Sequence, residues 1–397
     1  MKTFGVSRIA LGLIAAASLG FGHQAAADED PIVIGAAVAL SGFVAPYDDG
    51  PQKAAQLAVK IINEQGGVLG RQLEMVFADT KSDIAHGANA GLEVLDQGAQ
   101  MVLVTCDYDF GGGAASVANA RGIIAFSSCA ADPKFGVQGI GPYAFTMSIG
   151  TPGQGALMAE WGYNNQGYRS AYMLVDPTVE FDVSLCRSFE ERWIEIAGEE
   201  SFLGEDTFQN NDPSIASQIT RIKALDPQPD AIMYCSYPPG GAAALKQLRA
   251  AGVNIPMLSG EGMGGNYWLD AVPDLSGLYY AIYGSIFGDD PRPEINEVLA
   301  KFIEMHGGPP ATGQMYTGYA AIETWAKAVE RAGSLDGDAV REVLESFQDE
   351  PSLVGATTYT PELHMSVTRP MTIMQVQNGK HSAIGVFRPT KAASIVY

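Results

Sequence analysis

The chain has 397 residues, of which 47% are hydrophobic, and it carries 45 acidic against 24 basic residues for a formal net charge of −21. A surface this acidic repels phosphate backbones and excludes nucleic acid as a partner. The regularly patterned hydrophobic residues argue against disorder, and the length exceeds what one hydrophobic core usually serves, so we expect two lobes.

Residues 1–27 have the features of a cleaved signal peptide. Lys2 and Arg8 flank the start of an apolar stretch, IALGLIAAASLGFG, that is too short to span a membrane comfortably, and HQAAAD offers a small-residue cleavage site. We place cleavage after Ala27. No Cys follows this site, and no later segment approaches the ~20 apolar residues of a transmembrane helix, so we expect a soluble exported product that is not membrane-embedded.

The first part of the mature chain alternates short apolar strands with helices. PIVIGAAVAL, LEMVFADT, AQMVLVTC and IIAFSSC are typical of strands, and KAAQLAVKIINEQGG and GGGAASVANARG of helices. Asp83 is a suitable N-cap for a further helix that runs through Leu95. This alternation predicts an α/β fold with a parallel, doubly wound sheet.

The same pattern then begins again with RSAYMLVD, DVSLCRSFEERWIEIAG and EESFLGEDTF. The segments from Asp79 to Cys106 and from Asp206 to Cys235 share one plan: an Asp-Thr pair at a strand end, a helix, a polar turn and an apolar strand that closes on Cys. Residues 107–111 and 236–240 are therefore predicted to be equivalent loops in two similar lobes. Chance repetition of a common βαβ unit is the alternative.

Four cysteines in an exported chain permit disulfides. Cys106 and Cys129 close neighbouring apolar runs, so adjacent strand ends could bring them within bonding distance. Cys186 and Cys235 are more consistent with two buried thiols. No CxxC and no close His–Cys grouping is present, so we expect no metal and no cofactor.

Ligands of doubly wound sheets bind outside the carboxyl ends of the strands. This register gives the candidate cleft lining Tyr47, Asp107–Phe110, Ser128–Asp132, Glu180, Phe181, Tyr237 and Glu261. The glycines of GGGAA predict that a backbone approaches the ligand at a helix N-terminus, where N–H groups favour negative charge. A phosphate loop would need Lys and Ser or Thr after the glycines, but Ala114 and Ala115 follow.

Several of these segments together resemble one known family. GFVAPYDDGPQKAAQLAVKIINEQGGVLGRQLEMVFAD, QITRIKALDPQPDAIMYCSYPPGGAAALKQLRAAG, PMLSGEGM and YTGYAAIETWAKAVERAG are similar, in order and spacing, to the periplasmic binding proteins of branched-chain amino acid ABC transporters. The resemblance implies two α/β lobes joined by three crossovers near Ile149, Tyr283 and Thr368. Lobe 1 would comprise residues 28–149 and 284–367, and lobe 2 residues 150–283 and 368–397.

The resemblance also implies roles for individual residues. Glu261 falls on the family's ammonium-binding glutamate, and the backbone N–H near Ala130 falls on its carboxylate-binding group. The aromatic wall falls on Tyr47, Tyr237 and Phe181. The ligand-binding residues expected on these grounds are Tyr47, Asp107, Tyr108, Asp109, Ser128, Cys129, Ala130, Ala131, Phe181, Tyr237 and Glu261.

The chain departs from the family at two positions that matter for the ligand. Asp107-Tyr108-Asp109 stands where the family offers a Ser hydroxyl, and Ala131-Asp132 stands where it offers a Thr. Two hydroxyl donors for a carboxylate are thus replaced, partly by acids. A cationic or amide-bearing ligand among the aromatic residues fits comparably with an amino acid.

The resemblance implies a monomeric periplasmic solute-binding protein that traps an amino acid or a related amphipathic molecule and delivers it to an ABC transporter permease. A sensor of the same fold, signalling to a receptor or regulator, is the alternative. An enzyme is disfavoured because no His of the mature chain maps to a strand end. Glu180 and Glu261 could form a glycosidase pair, but they fall on the family's ligand-binding positions.

Overall fold

A computed structural model describes residues 1–3, 5 and 30–397 of the chain. Except for its first residues, the predicted signal peptide, residues 1–27, lies outside the described residues. The strands are β1 (Ile32–Val38), β2 (Leu73–Asp79), β3 (Met101–Val104), β4 (Ile124–Ser127), β5 (Ala144–Thr146), β6 (Ala171–Val175), β7 (Phe202–Thr207), β8 (Ala231–Cys235), β9 (Met257–Ser259), β10 (Leu278–Ile282), β11 (Met371–Gln377) and β12 (Lys380–Phe387).

Helices alternate with these strands along most of the described chain. The α-helices are α1 (Ala45–Glu64), α2 (Ile84–Asp96), α3 (Tyr108–Ala120), α4 (Thr151–Trp161), α5 (Glu180–Ala197), α6 (Ala216–Ala224), α7 (Gly240–Ala250), α8 (Pro293–His306), α9 (Met315–Ala332) and α10 (Gly337–Glu345).

The strands form two sheets, one in each lobe. The sheet of lobe 1 has the order β2-β1-β3-β4-β5 and is parallel throughout. The sheet of lobe 2 has the order β12-β11-β10-β9-β8-β6-β7, in which β6 to β10 are parallel. The predicted fold of two doubly wound α/β lobes is therefore confirmed.

Lobe 2 also contains an antiparallel hairpin that the parallel pattern did not predict. β11 pairs antiparallel with both β10 and β12. Asn378 and Gly379 join β11 to β12, and both have a positive φ, of 51° and 67°. An Asn-Gly pair in this conformation forms a tight two-residue turn whose twist matches the flanking strands, which explains why the sheet ends in a hairpin.

The two lobes repeat one arrangement. β1 lies between β2 and β3, and β6 lies between β7 and β8, with all four pairings parallel. The loops before α3 and α7 therefore occupy equivalent places, each at the carboxyl end of a central strand. Parallel strands place all their carboxyl ends on one edge of a sheet, so each lobe presents one loop-bearing edge.

Three segments connect the lobes. They are residues 147–150 between β5 and α4, residues 283–292 between β10 and α8, and residues 346–370 between α10 and β11. The first and third lie side by side, with a parallel bridge between Ile149 and Ser366 and a 2.8 Å hydrogen bond from Gly150 N to Ser366 O. The predicted lobe boundaries, 28–149 plus 284–367 and 150–283 plus 368–397, remain predictions.

Two disulfides are present among the described residues. Cys106–Cys129 joins the segments after β3 and β4, with 4.9 Å between the Cα atoms, as the adjacent strand ends suggested. Cys186–Cys235 joins α5 to the end of β8, with 5.9 Å between the Cα atoms. The prediction of two buried thiols at Cys186 and Cys235 is therefore wrong. α5 packs directly over β8, which brings the two Cα atoms into the usual range for a disulfide.

Candidate ligand-binding site

A cavity of about 60 Å³ lies between the two lobes. Lobe 1 contributes Phe43, Val44, Tyr47, Cys106, Asp107, Phe110, Cys129 and Gln314 to its lining, and lobe 2 contributes Val179, Phe181, Tyr237, Glu261 and Gly262. Most of these residues follow the carboxyl ends of β3, β4, β6, β8 and β9. The two loop-bearing edges therefore face each other across the cavity, which is where doubly wound sheets bind ligands.

Tyr47 reaches the cavity because α1 begins earlier than predicted. We expected a loop over residues 41–52, but the helix starts at Ala45, with Pro46 in its first turn, where a missing N–H costs no helical hydrogen bond. The buried Asp48 carboxylate fixes this start by accepting bonds from Ala39 N at 2.6 Å and Cys106 N at 2.8 Å. Tyr47 then donates its hydroxyl to Gly262 O of lobe 2 at 2.8 Å.

Glu261 is the buried acid that lobe 2 presents to the cavity. It follows β9 in a short 3₁₀ turn and is only 3% exposed. Oε1 accepts from Gln154 Nε2 at 2.9 Å and from Ser148 Oγ at 3.2 Å, while Oε2 has no partner within the protein. Burial raises the pKa of Glu261 to about 7, since desolvation outweighs the hydrogen bonds and the charge of Arg369.

All three connections between the lobes converge near Glu261. Ser148 belongs to the first connection, and its hydroxyl is also hydrogen bonded to that of Tyr283 in the second. Arg369, in the third, donates to Met147 O and is fully buried. A group that binds to Glu261 therefore contacts the same network that holds the connecting segments together.

Asp107 is the acid of lobe 1 that lines the cavity. It caps α3 with a positive φ of 85°, and its carboxylate accepts from Asp109 N at 2.8 Å. Its carbonyl oxygen accepts from Gly111 N at 3.0 Å. Burial, followed by the charges of Asp109 and Asp132, raises the pKa of Asp107 well above its usual range. Two of the first N–H groups of α3, those of Asp109 and Gly111, are thus bonded within the helix cap.

The glycines after Asp107 do not approach the ligand cavity, which corrects the predicted role of the GGGAA stretch. A Cβ on Gly111 would lie 2.3 Å from Thr105 O, and one on Gly113 would lie 3.0 Å from Ala88 N. These glycines let α3 pack closely against the end of β3 and against α2. The glycines do mark a close approach to the backbone, as predicted, but the groups that come close are other parts of the protein backbone and not a ligand.

Six of the predicted site residues line the cavity, and five do not. The six are Tyr47, Asp107, Cys129, Phe181, Tyr237 and Glu261. Tyr108 packs beside Ile140 and Gly112, away from the cavity. Ser128, Ala130 and Ala131 are buried behind the lining. Ala130 N donates to Ser127 Oγ at 2.9 Å, so its predicted role as a carboxylate donor conflicts with a hydrogen bond it already makes.

Asp109, the fifth, contributes to contacts between the lobes at the cavity's edge. Its carboxylate accepts from Glu180 N, the first residue of α5, at 3.0 Å. Lys134 of lobe 1 pairs with the Glu180 carboxylate at 2.6 Å. Phe43 also stacks on Tyr237 across the cleft, with 6.5 Å between ring centroids. The structure is therefore that of a closed pair of lobes.

Several lining residues were not predicted from the sequence. Among them, Gln314 lies far along the chain from the other lining residues, which fall between Phe43 and Gly262. Gln314 precedes α9, and its Nε2 donates to Glu261 O at 3.1 Å, while its Oε1 has no partner within the protein. It follows no strand, so the strand-end rule could not find it. Phe43 and Val44 were expected in a loop before the helix, and only the early start of α1 places them at the cavity.

Two structural features are absent from the described residues. None of their helices is long and apolar enough to cross a membrane. No group of three or more His, Cys, Asp or Glu side chains within residues 30–397 is placed to hold a metal ion.

A closed cavity between two α/β lobes that three segments connect defines a two-lobe binding protein. The chain belongs to the periplasmic binding protein family, whose sequence profile matches residues 31–381. It is 25% identical over 349 residues to the Leu/Ile/Val-binding protein homolog 3 of Brucella melitensis, spanning 87% of this chain and 90% of that protein. It is 24% identical to a leucine-, isoleucine-, valine-, threonine- and alanine-binding protein of Pseudomonas aeruginosa, spanning 86% and 89%.

Solved structures share the fold at lower identity. The branched-chain amino acid transporter substrate-binding protein LivJ of Streptococcus pneumoniae, in complex with isoleucine, has a TM-score of 0.78 and 22% identity, covering 91% of this chain and 100% of that one. A solute-binding protein of Rhodopseudomonas palustris in complex with benzoate has a TM-score of 0.74 and 18% identity, covering 92% and 99%. Similar folds of this kind therefore hold chemically different ligands.

Proposed function

We propose that this chain is the periplasmic solute-binding component of an ABC importer and traps one small molecule, an amino acid or a related amphipathic compound, between its lobes. The observation that carries the proposal is Glu261, a buried acid with one unpartnered oxygen, facing a cavity that both lobes line. A buried carboxylate oxygen that accepts no hydrogen bond is costly. A ligand that offers a positive donor removes this cost, so binding and closure stabilise each other.

The ligand acts on the equilibrium between open and closed lobes. A molecule that contacts both lobes stabilises the closed form by its differential affinity for that form. The motion is a hinge at the three connecting segments, and Glu261 joins the ligand to them through Ser148. Closure forms hydrogen bonds between the lobes. Two of them run from Tyr47 to Gly262 O and from Glu180 N to Asp109.

The remaining parts of the proposal concern export and partners. The chain is secreted by a signal peptide that is cleaved after Ala27, functions as a monomer, and presents its closed shape to a membrane permease. The relatives named above are binding proteins, and we propose that this chain likewise has no catalytic activity.

Thermal shift and calorimetry on the mature protein, residues 28–397, test the function. The panel contains amino acids, amides, aromatic acids and amines, because a ligand that binds only the folded state raises the melting temperature. We expect one class to bind with saturation at one site per chain and to lose affinity in Glu261→Gln. Glu160→Gln is the matched control, a buried acid bound to Arg192 and Thr390 away from the cavity. Failure of the whole panel would contradict the proposal.

A further inference from the structure

We infer that the ligand is a compact primary amine without a carboxylate, a short alkyl ammonium compound, and not a zwitterionic amino acid. This inference rests on the proposed function, because it concerns the same cavity. It follows from four properties of the lining: its unpartnered atoms, its charge, its occupied N–H groups and its apolar walls.

The unpartnered polar atoms of the lining are acceptors. Among the described lining residues, the buried side-chain atoms without a partner are Glu261 Oε2 and Gln314 Oε1. The two residues are in direct contact, since Gln314 Nε2 donates to Glu261 O. Gln314 is 1% exposed, so water is largely excluded from its side chain. An ammonium group has three N–H donors and no acceptor, so it suits a lining whose unpartnered buried side-chain atoms are acceptors.

The charged residues of the lining also favour a cationic ligand. Glu261 and Asp107 line the cavity, while no Lys, Arg or His among the described residues does so. Asp182 lies in the first turn of α5, is fully buried, and has both carboxylate oxygens unpartnered. Burial raises the pKa of Asp182 well above its usual range, and the charges of Asp176 and then Asp107 raise it further. A third acid, from lobe 2, therefore lies behind the lining within electrostatic range of Asp107, and a cation in the cavity offsets their charge.

Three backbone N–H groups that could serve a ligand carboxylate near Asp107 are already bonded within lobe 1. Asp109 N donates to the Asp107 side chain, Gly111 N to the Asp107 carbonyl, and Ala130 N to Ser127 Oγ. A carboxylate at this end would lie against an acid that is itself buried. Each such contact is unfavourable without a compensating hydrogen bond. The lining therefore selects against the group that distinguishes an amino acid from its amine.

The walls define the rest of the ligand. Phe43, Phe110, Phe181 and Tyr237 supply aromatic surface from both lobes. Such surface suits an apolar or aromatic body and also stabilises a nearby cation. The cavity of about 60 Å³ restricts this body to a compact group. Short branched alkylamines combine these properties, whereas benzene alone needs a cavity of about 150 Å³.

Matched pairs that differ only in the carboxylate test the inference. The pairs are leucine with 3-methylbutylamine and isoleucine with 2-methylbutylamine. Calorimetry at pH 8 is run on the wild-type protein. We expect at least one amine to bind about 100-fold more tightly than its parent amino acid, the scale of one lost charge-assisted hydrogen bond together with an unfavourable carboxylate contact.

Two variants separate the contributions. Asp107→Asn removes the acid that faces the carboxylate, and we expect it to reduce the difference within a pair by about tenfold. Gln314→Met removes one acceptor and is expected to weaken amine binding by about tenfold without changing the order within a pair. Glu160→Gln leaves both affinities unchanged. Circular dichroism and the melting temperature confirm folding. If Asp107→Asn does not fold, the wild-type matched pairs test the discrimination against the carboxylate and Gln314→Met tests the acceptor for the amine.

Equal or tighter binding of the amino acid in every pair would overturn the inference and leave the solute-binding function standing. Binding of an aromatic acid in place of both members of every pair would do the same. If no compound of the wider panel bound at all, the proposed function itself would fail.

Discussion

The Asp109 carboxylate of lobe 1 accepts a hydrogen bond from the N–H of Glu180, the first residue of α5 in lobe 2, at 3.0 Å. An acid at a helix N-terminus is stabilised by the unpaired N–H groups and by the helix dipole. Here the acid comes from the opposite lobe. One hydrogen bond therefore both caps a helix and holds the cleft closed.

Asp109→Ala should weaken this closure. We expect ligand affinity to fall about fivefold, equivalent to roughly 1 kcal/mol, through faster dissociation. The radius of gyration of the ligand-free protein, measured by small-angle X-ray scattering, should increase. Asp96→Ala is the control, since it removes an exposed bond to Arg121 within lobe 1. An unchanged dissociation rate and radius would show that this bond does not hold the lobes.

Glu261→Gln should stabilise the ligand-free protein at high pH. The folded-state pKa of about 7 lies above the ordinary glutamate value of 4.5, so the folded protein holds a proton that the unfolded chain loses between these values. Stability contributed by this group is thus present below pH 4.5 and is lost as pH rises towards 7. We expect the variant to gain about 3 kcal/mol over the wild type at pH 8 and almost nothing at pH 4.5. Urea unfolding at both pH values measures this.

The same titration should govern the affinity for a cation. In the proposed complex the ionised form of Glu261 binds an ammonium group, and protonation below its pKa of about 7 competes with the ligand. We expect binding of the preferred amine to weaken about 30-fold between pH 8 and pH 5.5, as the fraction of ionised carboxyl falls. Calorimetry over this range, with Glu261→Gln as a pH-independent comparison, measures the effect. A flat profile in the wild type would exclude Glu261 as the cation's partner.

The Cys186–Cys235 disulfide should stabilise lobe 2. The bond closes a segment of 49 residues in sequence, and constraining the unfolded chain in this way contributes about 2–4 kcal/mol. The double variant Cys186→Ser/Cys235→Ser should lose this amount in urea unfolding while keeping the lobe 1 disulfide. A thiol assay on the unfolded, unreduced wild-type protein should find no free cysteine, and two thiols per chain would contradict the pairing.

The alternation of strands and helices was readable from sequence because each element is short, apolar and bounded by turn residues. The carboxyl-end rule then placed Asp107, Cys129, Phe181, Tyr237 and Glu261 at one cleft, and all five line the cavity. The rule works because it depends only on the direction of parallel strands. Tyr108 also follows the carboxyl end of a strand, but its side chain turns away from the cavity, so the rule alone does not identify the lining residues.

Other features depend on packing that a linear pattern does not carry. Gln314 enters the cavity from the start of α9, which follows no strand. α1 begins eight residues before the predicted helix at Lys53 and contains Pro51, and the buried Asp48 carboxylate near its start accepts a hydrogen bond from Ala39 N. The prediction of free thiols at Cys186 and Cys235 was wrong because the distance between these residues depends on how α5 crosses β8. These contacts are set by the tertiary fold rather than by local periodicity.

The backbone pairing of Ile149 with Ser366 ties two of the three connecting segments to each other. Segments joined in this way should bend together, so we expect the relative motion of the lobes to approach rotation about a single axis. Fluorescent labels at several positions should then report distances that all vary with one angle, and a transporter need distinguish only the two ends of that rotation.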